Sequence, residues 1–206
     1  MRNHIAVKVL CLFIFCLSLF PAASRCFAGE PTDQVRQSVD AVLEVLKDKE
    51  LKKPEKEKIR RDKIREIVDR IFDFAEMSRR SLSVHWKKRT AEEQKEFVSL
   101  FSDLLEDTYR KKIEKYSDEK IIYTGESVAG GNAVVKTKVI TKKETDVPLD
   151  YRLMKEESKW KVYDVVIEGV SLVNNYRSQF NEILGSNPYG ELVKRLKNKT
   201  LKEPTK

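Results

Sequence analysis

The chain has 206 residues, with 41 Lys+Arg against 33 Asp+Glu, 7 Gly, 3 Cys and 2 His, and a net charge of +8. Apolar residues make up 40% and are spread along its length, which excludes a disordered or collagen-like polymer and suits one domain with its own core. Neither Gly-x-Gly-x-x-Gly nor Gly-x-x-x-x-Gly-Lys-Ser/Thr is present, so the sequence carries no phosphate-cradling motif of a nucleotide enzyme.

The first segment differs from the rest. Arg2 and Lys8 precede the apolar run Val9 to Phe20, Pro21 breaks it, and Cys26 and Ala28 place small residues before Gly29, which reads as a secretory signal peptide over 1–28. The apolar run is well short of the roughly 20 residues that span a bilayer, and Arg25 is a poor neighbour for lipid modification at Cys26. Cleavage after Ala28 removes Cys11, Cys16 and Cys26, three basic residues and no acidic one, leaving a net charge of +5 on a cysteine-free domain over 29–206. Thiol catalysis and cysteine-bound zinc are thereby excluded from that domain. Only His85 remains, too little for a histidine metal site.

Three helices are expected next. Val35, Val39, Val42, Leu43 and Leu46 share one helical face. Beyond Pro54, Arg60, Ile64, Ile67, Val68, Ile71, Phe72 and Ala75 continue as one second stripe, widened by Phe74 and Met77. Thr90 and Glu93 form a capping box that opens a third helix, with Phe97, Leu100, Phe101, Leu104, Leu105 and Thr108 on one face. That helix is expected to end before 116–118.

Four strands follow. Lys120 to Val128 leads through Gly130-Gly131-Asn132, a turn tolerant of positive φ, into Ala133 to Thr141. Val135, Thr137 and Val139 alternate with Lys136 and Lys138; in the third strand Leu149, Tyr151 and Leu153 alternate with Asp150 and Arg152. The fourth, Trp160 to Ile167, is apolar on both faces under strict alternation, with Trp160, Val162 and Val166 on one and Tyr163, Val165 and Ile167 on the other. Such a strand is expected to be central. Helices close the chain: Val170, Val173, Tyr176, Arg177, Phe180, Ile183 and Leu184 form a face stopped by Gly185, and a short helix after Asn187-Pro188 carries Leu192, Val193 and Leu196. A polar, frayed tail from Lys197 completes an α+β domain, a curved antiparallel sheet of about four strands packed against helices.

Catalytic signals are weak. His85 has Ser81 and Ser83 nearby, but no nucleophile elbow holds either of them. Asp164 and Glu168-Gly169 fall where a strand turns into a helix and read as capping residues. The run Lys47 to Glu66 carries +4 and reads as a solvated helix surface with i,i+4 pairs, or else as a docking face for acidic partners or anionic headgroups.

The segments Phe72-Asp73-Phe74-Ala75-Glu76-Met77-Ser78 and His85-Trp86-Lys87-Lys88-Arg89-Thr90, with Gln94-Lys95-Glu96-Phe97 and Phe101, resemble the MlaC, or toluene-tolerance, family. Trp160 to Val173 followed by Asn175-Tyr176-Arg177-Ser178-Gln179-Phe180 is the most specific part of that resemblance. It implies a fold related to nuclear transport factor 2 and a periplasmic phospholipid carrier that maintains outer-membrane lipid asymmetry. It also implies two partners, an inner-membrane ABC transporter with a lipid-binding substrate-domain ring and an outer-membrane lipoprotein complex. No catalytic residue, cofactor, metal or nucleic acid is implied, and a monomer is expected.

On this reading the acyl tails are enclosed by Val135, Val139, Tyr151 and Leu153 from the sheet and by Phe97, Phe101 and Leu104 from a helix. Trp160, Val162 and Val166 are the choice for the fourth strand, and Phe74, Val170 and Tyr176 complete the set. Two rivals share the same pattern: an isomerase of the ketosteroid-isomerase type using Asp164 or Tyr151 inside the pocket, and an adaptor whose core is simply filled.

Overall fold

The computed structural model describes residues 29–114, 119–140 and 145–203. The expected leader over 1–28 lies outside these residues, as does 116–118. Helix α1 (Glu30–Lys47) has Pro31 as its second residue, and Glu30 and Asp33 sit in its first turn, where acidic groups meet free N–H groups. Its start is pinned from a distance: Glu126 accepts from the Thr32 N–H at 2.8 Å and from its hydroxyl at 2.6 Å. A Cβ on Gly29 would lie 2.0 Å from that carboxylate, so a side chain there would make the end of Glu126 shift.

The single second stripe is in fact two helices, α2 (Glu57–Ile71) and α3 (Phe74–Leu82). Phe72 is extended and bridges to Val162, the Asp73 N–H donates to the Val162 carbonyl at 2.9 Å, and the Asp73 carboxylate caps α3 by accepting from the Glu76 N–H. A long-range backbone pairing thus outweighs local helix continuation. The break resets the phase, which turns Ala75 out to solvent. A 3-10 turn over Ser83–Lys88 leads to α4 (Ala91–Glu114), whose capping box forms as expected, Thr90 and Glu93 exchanging hydrogen bonds at 2.9 and 3.2 Å.

Strands β1 (Lys120–Ala129), β2 (Asn132–Ile140), β3 (Asp146–Glu156), β4 (Lys159–Ile167) and β5 (Val170–Ser171) form an antiparallel sheet in sequence order. Gly130 and Gly131 both have positive φ, as a two-residue hairpin turn of the primed type requires. Glu168 and Gly169 make the same kind of turn between β4 and β5, so this pair closes a hairpin and does not cap a helix. The sheet has five strands where four were expected, and β4 is next to last, bordered by the two-residue β5. Its two-sided apolarity comes from a bulge. Arg152 pairs with Asp164 but Leu153 pairs with Val162, which leaves Tyr163 as an extra residue.

Helix α5 (Leu172–Ser186) follows, with Ser171 as its N-cap, and α6 (Tyr189–Lys197) closes the fold. Gly185 lies inside α5 and Asn187 is the residue that ends it, so the expected glycine cap is displaced by two positions. The tail is not frayed up to Glu203: Gln179 on α5 bonds both the N–H and the carbonyl of Lys202, and Leu201 packs on the helical core.

Two apolar regions result. One joins α3 to α6 and is aromatic, Phe101 meeting Tyr176 and Phe180 edge-on with ring centroids 5.2 and 5.5 Å apart. The other joins α1 and α2 to the sheet and is mostly aliphatic, around Val35, Ile71, Val135, Leu153 and Val162.

Candidate functional site: a cavity between the sheet and the first two helices

The aliphatic region is hollow. A cavity of about 580 Å³ lies between α1, α2 and the sheet, with the inner side of α4 as a further wall. Val35, Val39, Val42, Leu43 and Leu46 of α1 face it, with Ile64, Ile67, Val68 and Ile71 of α2 beside them. The sheet supplies Ile121, Val139, Val147, Leu149, Tyr151, Val162, Val165 and Ile167; Phe72, Phe74, Met77, Leu105, Tyr109 and Leu172 close the far side. Val39, Val42 and Leu43 are only half-buried, because the surface they keep faces the cavity.

The charged groups of the wall come from α2, α4 and Glu119, and most of them meet where α2 passes α4. The two backbones scarcely approach one another there, and long side chains bridge them. Arg61 and Arg65 both pair with Glu106, Arg65 also bonds Asp103 and the Ser102 hydroxyl, and Arg60 pairs with Glu114 at 3.5 Å. Arg110 joins Glu57 and Glu114. Arg61, Arg65, Glu106, Arg110 and Glu114 all line the cavity. Three arginines of the Lys47 to Glu66 run are thus paired with acids of α4, and these ion pairs border an apolar interior. Tyr109 and Tyr151 are the phenols in the wall. Burial, the main cause, raises both above the ordinary tyrosine value, so neither ring carries charge at neutral pH.

Of the residues expected to enclose ligand, Phe74, Val139, Tyr151 and Val162 line the cavity. Phe97, Phe101, Leu104 and Tyr176 do not; they fill the aromatic core among the helices. Val135, Leu153 and Trp160 are packed beyond the end of the cavity, with Val135 and Leu153 fully inaccessible. Val166 points to the opposite face because the bulge at Tyr163 reverses the alternation, bringing Val165 and Ile167 inward instead. Val170 lies in β5, half-buried and off the cavity wall. The expected set contains no residue of α1 or α2, although both carry clear apolar stripes in the sequence. Nothing in a stripe tells a face that meets other side chains from one that meets a void.

Asp164 is on the side of β4 away from the cavity, where it accepts from the Ser171 hydroxyl at 2.6 Å, the Val173 N–H at 3.1 Å and Arg152 at 3.0 Å. It ties the start of α5 to the sheet, the capping role expected of it. His85 forms no hydrogen bond with Ser81 or Ser83, and Ser81 is wholly buried. Among the described residues there is no cluster suited to a metal ion and no helix long and apolar enough to cross a membrane.

Known proteins share this architecture. The phospholipid-binding protein of Ralstonia solanacearum, whose structure was solved in complex with a phospholipid, matches with a TM-score of 0.73 and 26% identity, over 83% of this chain and 97% of that one. The intermembrane phospholipid transport system binding protein MlaC of Haemophilus influenzae is 27% identical over 120 residues, 56% of either chain, so the match spans little more than half of that relative. The MlaC protein family model matches residues 36–198, and the chain belongs to the MlaC family.

Proposed function

We propose that the protein is a phospholipid carrier that holds acyl chain in the cavity, with the charged part of the wall as its mouth and the headgroup there. The observation that carries this reading is the cavity itself, an aliphatic interior with ion pairs at one part of its wall. The two relatives bear on it as well, one named for intermembrane phospholipid transport and the other solved with phospholipid bound. Of the two residues on which the isomerase alternative rests, Asp164 faces away from the cavity and is engaged by Ser171, Val173 and Arg152, while Tyr151 lines the wall.

Magnitude sets a condition on loading. At about 30 Å³ per methylene, close to the volume of one water, 580 Å³ holds roughly 19 methylenes, or about one long tail. Burying that length is worth on the order of 15 kcal/mol relative to water at about 0.8 kcal/mol per methylene. In this reading a second tail is admitted by outward movement of the α1–α2 hairpin, which the ion pairs between α2 and α4 restrain. A bilayer offers tails a similar free energy, so transfer is nearly balanced and the barrier lies in passing tails through water. Exchange then depends on a docked partner that shields them.

In the same reading the carrier works as a monomer in the periplasm after removal of the 1–28 leader. It exchanges lipid with an inner-membrane ABC transporter bearing a lipid-binding ring and with an outer-membrane lipoprotein complex. Native mass spectrometry of protein purified from periplasm tests the core of this reading: a co-purified mass of a diacyl phospholipid is expected, and bare protein under conditions that preserve the fold overturns it. Rapid exchange with protein-free liposomes would sink partner-dependent release alone.

A further inference from the structure

We infer that Tyr151 is the stop against which the end of an acyl chain rests, and that it sets the chain length the cavity accepts. This rests on the carrier reading above. On the inward side of β3, Val147, Leu149 and Tyr151 line the cavity in succession, and the next residue on that side, Leu153, is fully inaccessible in solid core. The neighbouring strand carries its wall one inward pair further and then stops. Val165, paired with Tyr151, and Val162, paired with Leu153, both line the cavity, whereas Trp160, one step further, does not.

The helix above agrees. Val35 is the last α1 residue in the wall and is 1% exposed, and the turn before it is pinned through Thr32 to Glu126. The charged residues all belong to α2, α4 and the segment following α4. A tail entering beside them runs along β3 from Val147 and ends at Tyr151. Tyrosine suits a fixed stop because its ring has only two rotatable bonds and little freedom to yield. Burial also keeps the phenol neutral, so it presents no charge to hydrocarbon.

The test uses the cleaved protein, stripped of lipid and reloaded from a series of phosphatidylcholines with lauroyl, myristoyl, palmitoyl, stearoyl and arachidoyl chains, with occupancy read by native mass spectrometry. Wild type should show a falling occupancy beyond one chain length. Tyr151→Ala opens the floor and should move that break to longer chains by about two to four methylenes. Leu149→Phe narrows the path from the same strand and should move it to shorter ones, which keeps the test decisive if the alanine variant folds poorly. Folded variants that bind lipid with the wild-type length profile overturn Tyr151 as the stop and leave the carrier reading intact. A wild type that takes up none of the series overturns the carrier reading and the stop together.

Discussion

The helical core and the sheet-side cavity are lined by equally apolar faces, yet one is solid and the other hollow. Among the helices, Phe97, Phe101, Tyr176 and Phe180 interlock, with stacked and edge-on ring contacts between 5.2 and 5.9 Å. Against the sheet, α1 offers Val39, Val42 and Leu43 to Val139, Val147 and Leu149, side chains too short to meet across the gap. Large rings fill an interlayer space that small branched side chains leave open. The same apolar periodicity therefore supports stability in one region and capacity for ligand in the other.

The sharpest way to break this comparison is to truncate one residue from each region and compare urea unfolding. Phe101→Ala should cost about 3–5 kcal/mol, because it opens a new cavity in a packed aromatic cluster. Leu43→Ala should cost about 1 kcal/mol, since its side chain already borders empty space. Equal losses would mean that the sheet-side region is as filled as the helical one.

The attachment between the two regions comes next in size. Asp164→Ala removes the acceptor for Ser171, Val173 and Arg152 at a buried position and should lower stability by about 2–4 kcal/mol in thermal or denaturant unfolding. Lipid occupancy of the folded fraction should be unchanged, because the carboxylate faces away from the cavity. A loss of occupancy without a loss of stability would contradict that placement.

Glu106 receives both Arg61 and Arg65 across the seam between α2 and α4. Glu106→Gln should cost less than about 1 kcal/mol, as befits partly exposed ion pairs, while speeding lipid loading by stopped-flow fluorescence. The difference from wild type should shrink as salt screens the pairs. Unchanged loading at low salt would remove these pairs as the restraint on the hairpin.

The smallest effect concerns the edge of the helical core. Hydrogen bonds from Arg79 at 2.6 Å and Arg80 at 2.7 Å, with Arg79 the larger influence, hold the Glu76 carboxyl below its ordinary value of 4.5. A carboxylate with a depressed folded-state value contributes stability that is complete above the unfolded value and lost as pH falls through the folded one. Wild type and Glu76→Gln should therefore differ slightly in melting temperature at neutral pH and converge in acid below the ordinary carboxylate range. A constant difference across that range would assign the effect to packing.

Much of the fold was legible because its signals are local. The Thr90–Glu93 capping box, the Gly130-Gly131 turn and the alternation along β2 each need only neighbouring residues, and each forms as expected. The α1 stripe was equally plain, as was the family resemblance centred on Trp160 to Phe180. The site was legible only in part: Phe74, Val139, Tyr151 and Val162 reach the cavity, while Phe97, Phe101 and Tyr176, expected beside the ligand, pack against one another.

Sequence alone determined which faces leave water, where most helices and turns begin, and which family the residues resemble, since periodicity and capping are written within a few residues of one another. Tertiary structure decided the break at Phe72, which exists because Val162 offers a backbone partner, and the bulge at Tyr163, which exchanges Val166 for Val165 and Ile167 on the inward side. It also decided that the space beneath α1 stays open. Burial patterns record that a side chain avoids water, but the distance between layers is fixed by remote contacts such as Glu126 to Thr32 and the ion pairs between α2 and α4, and that distance decides whether facing side chains meet.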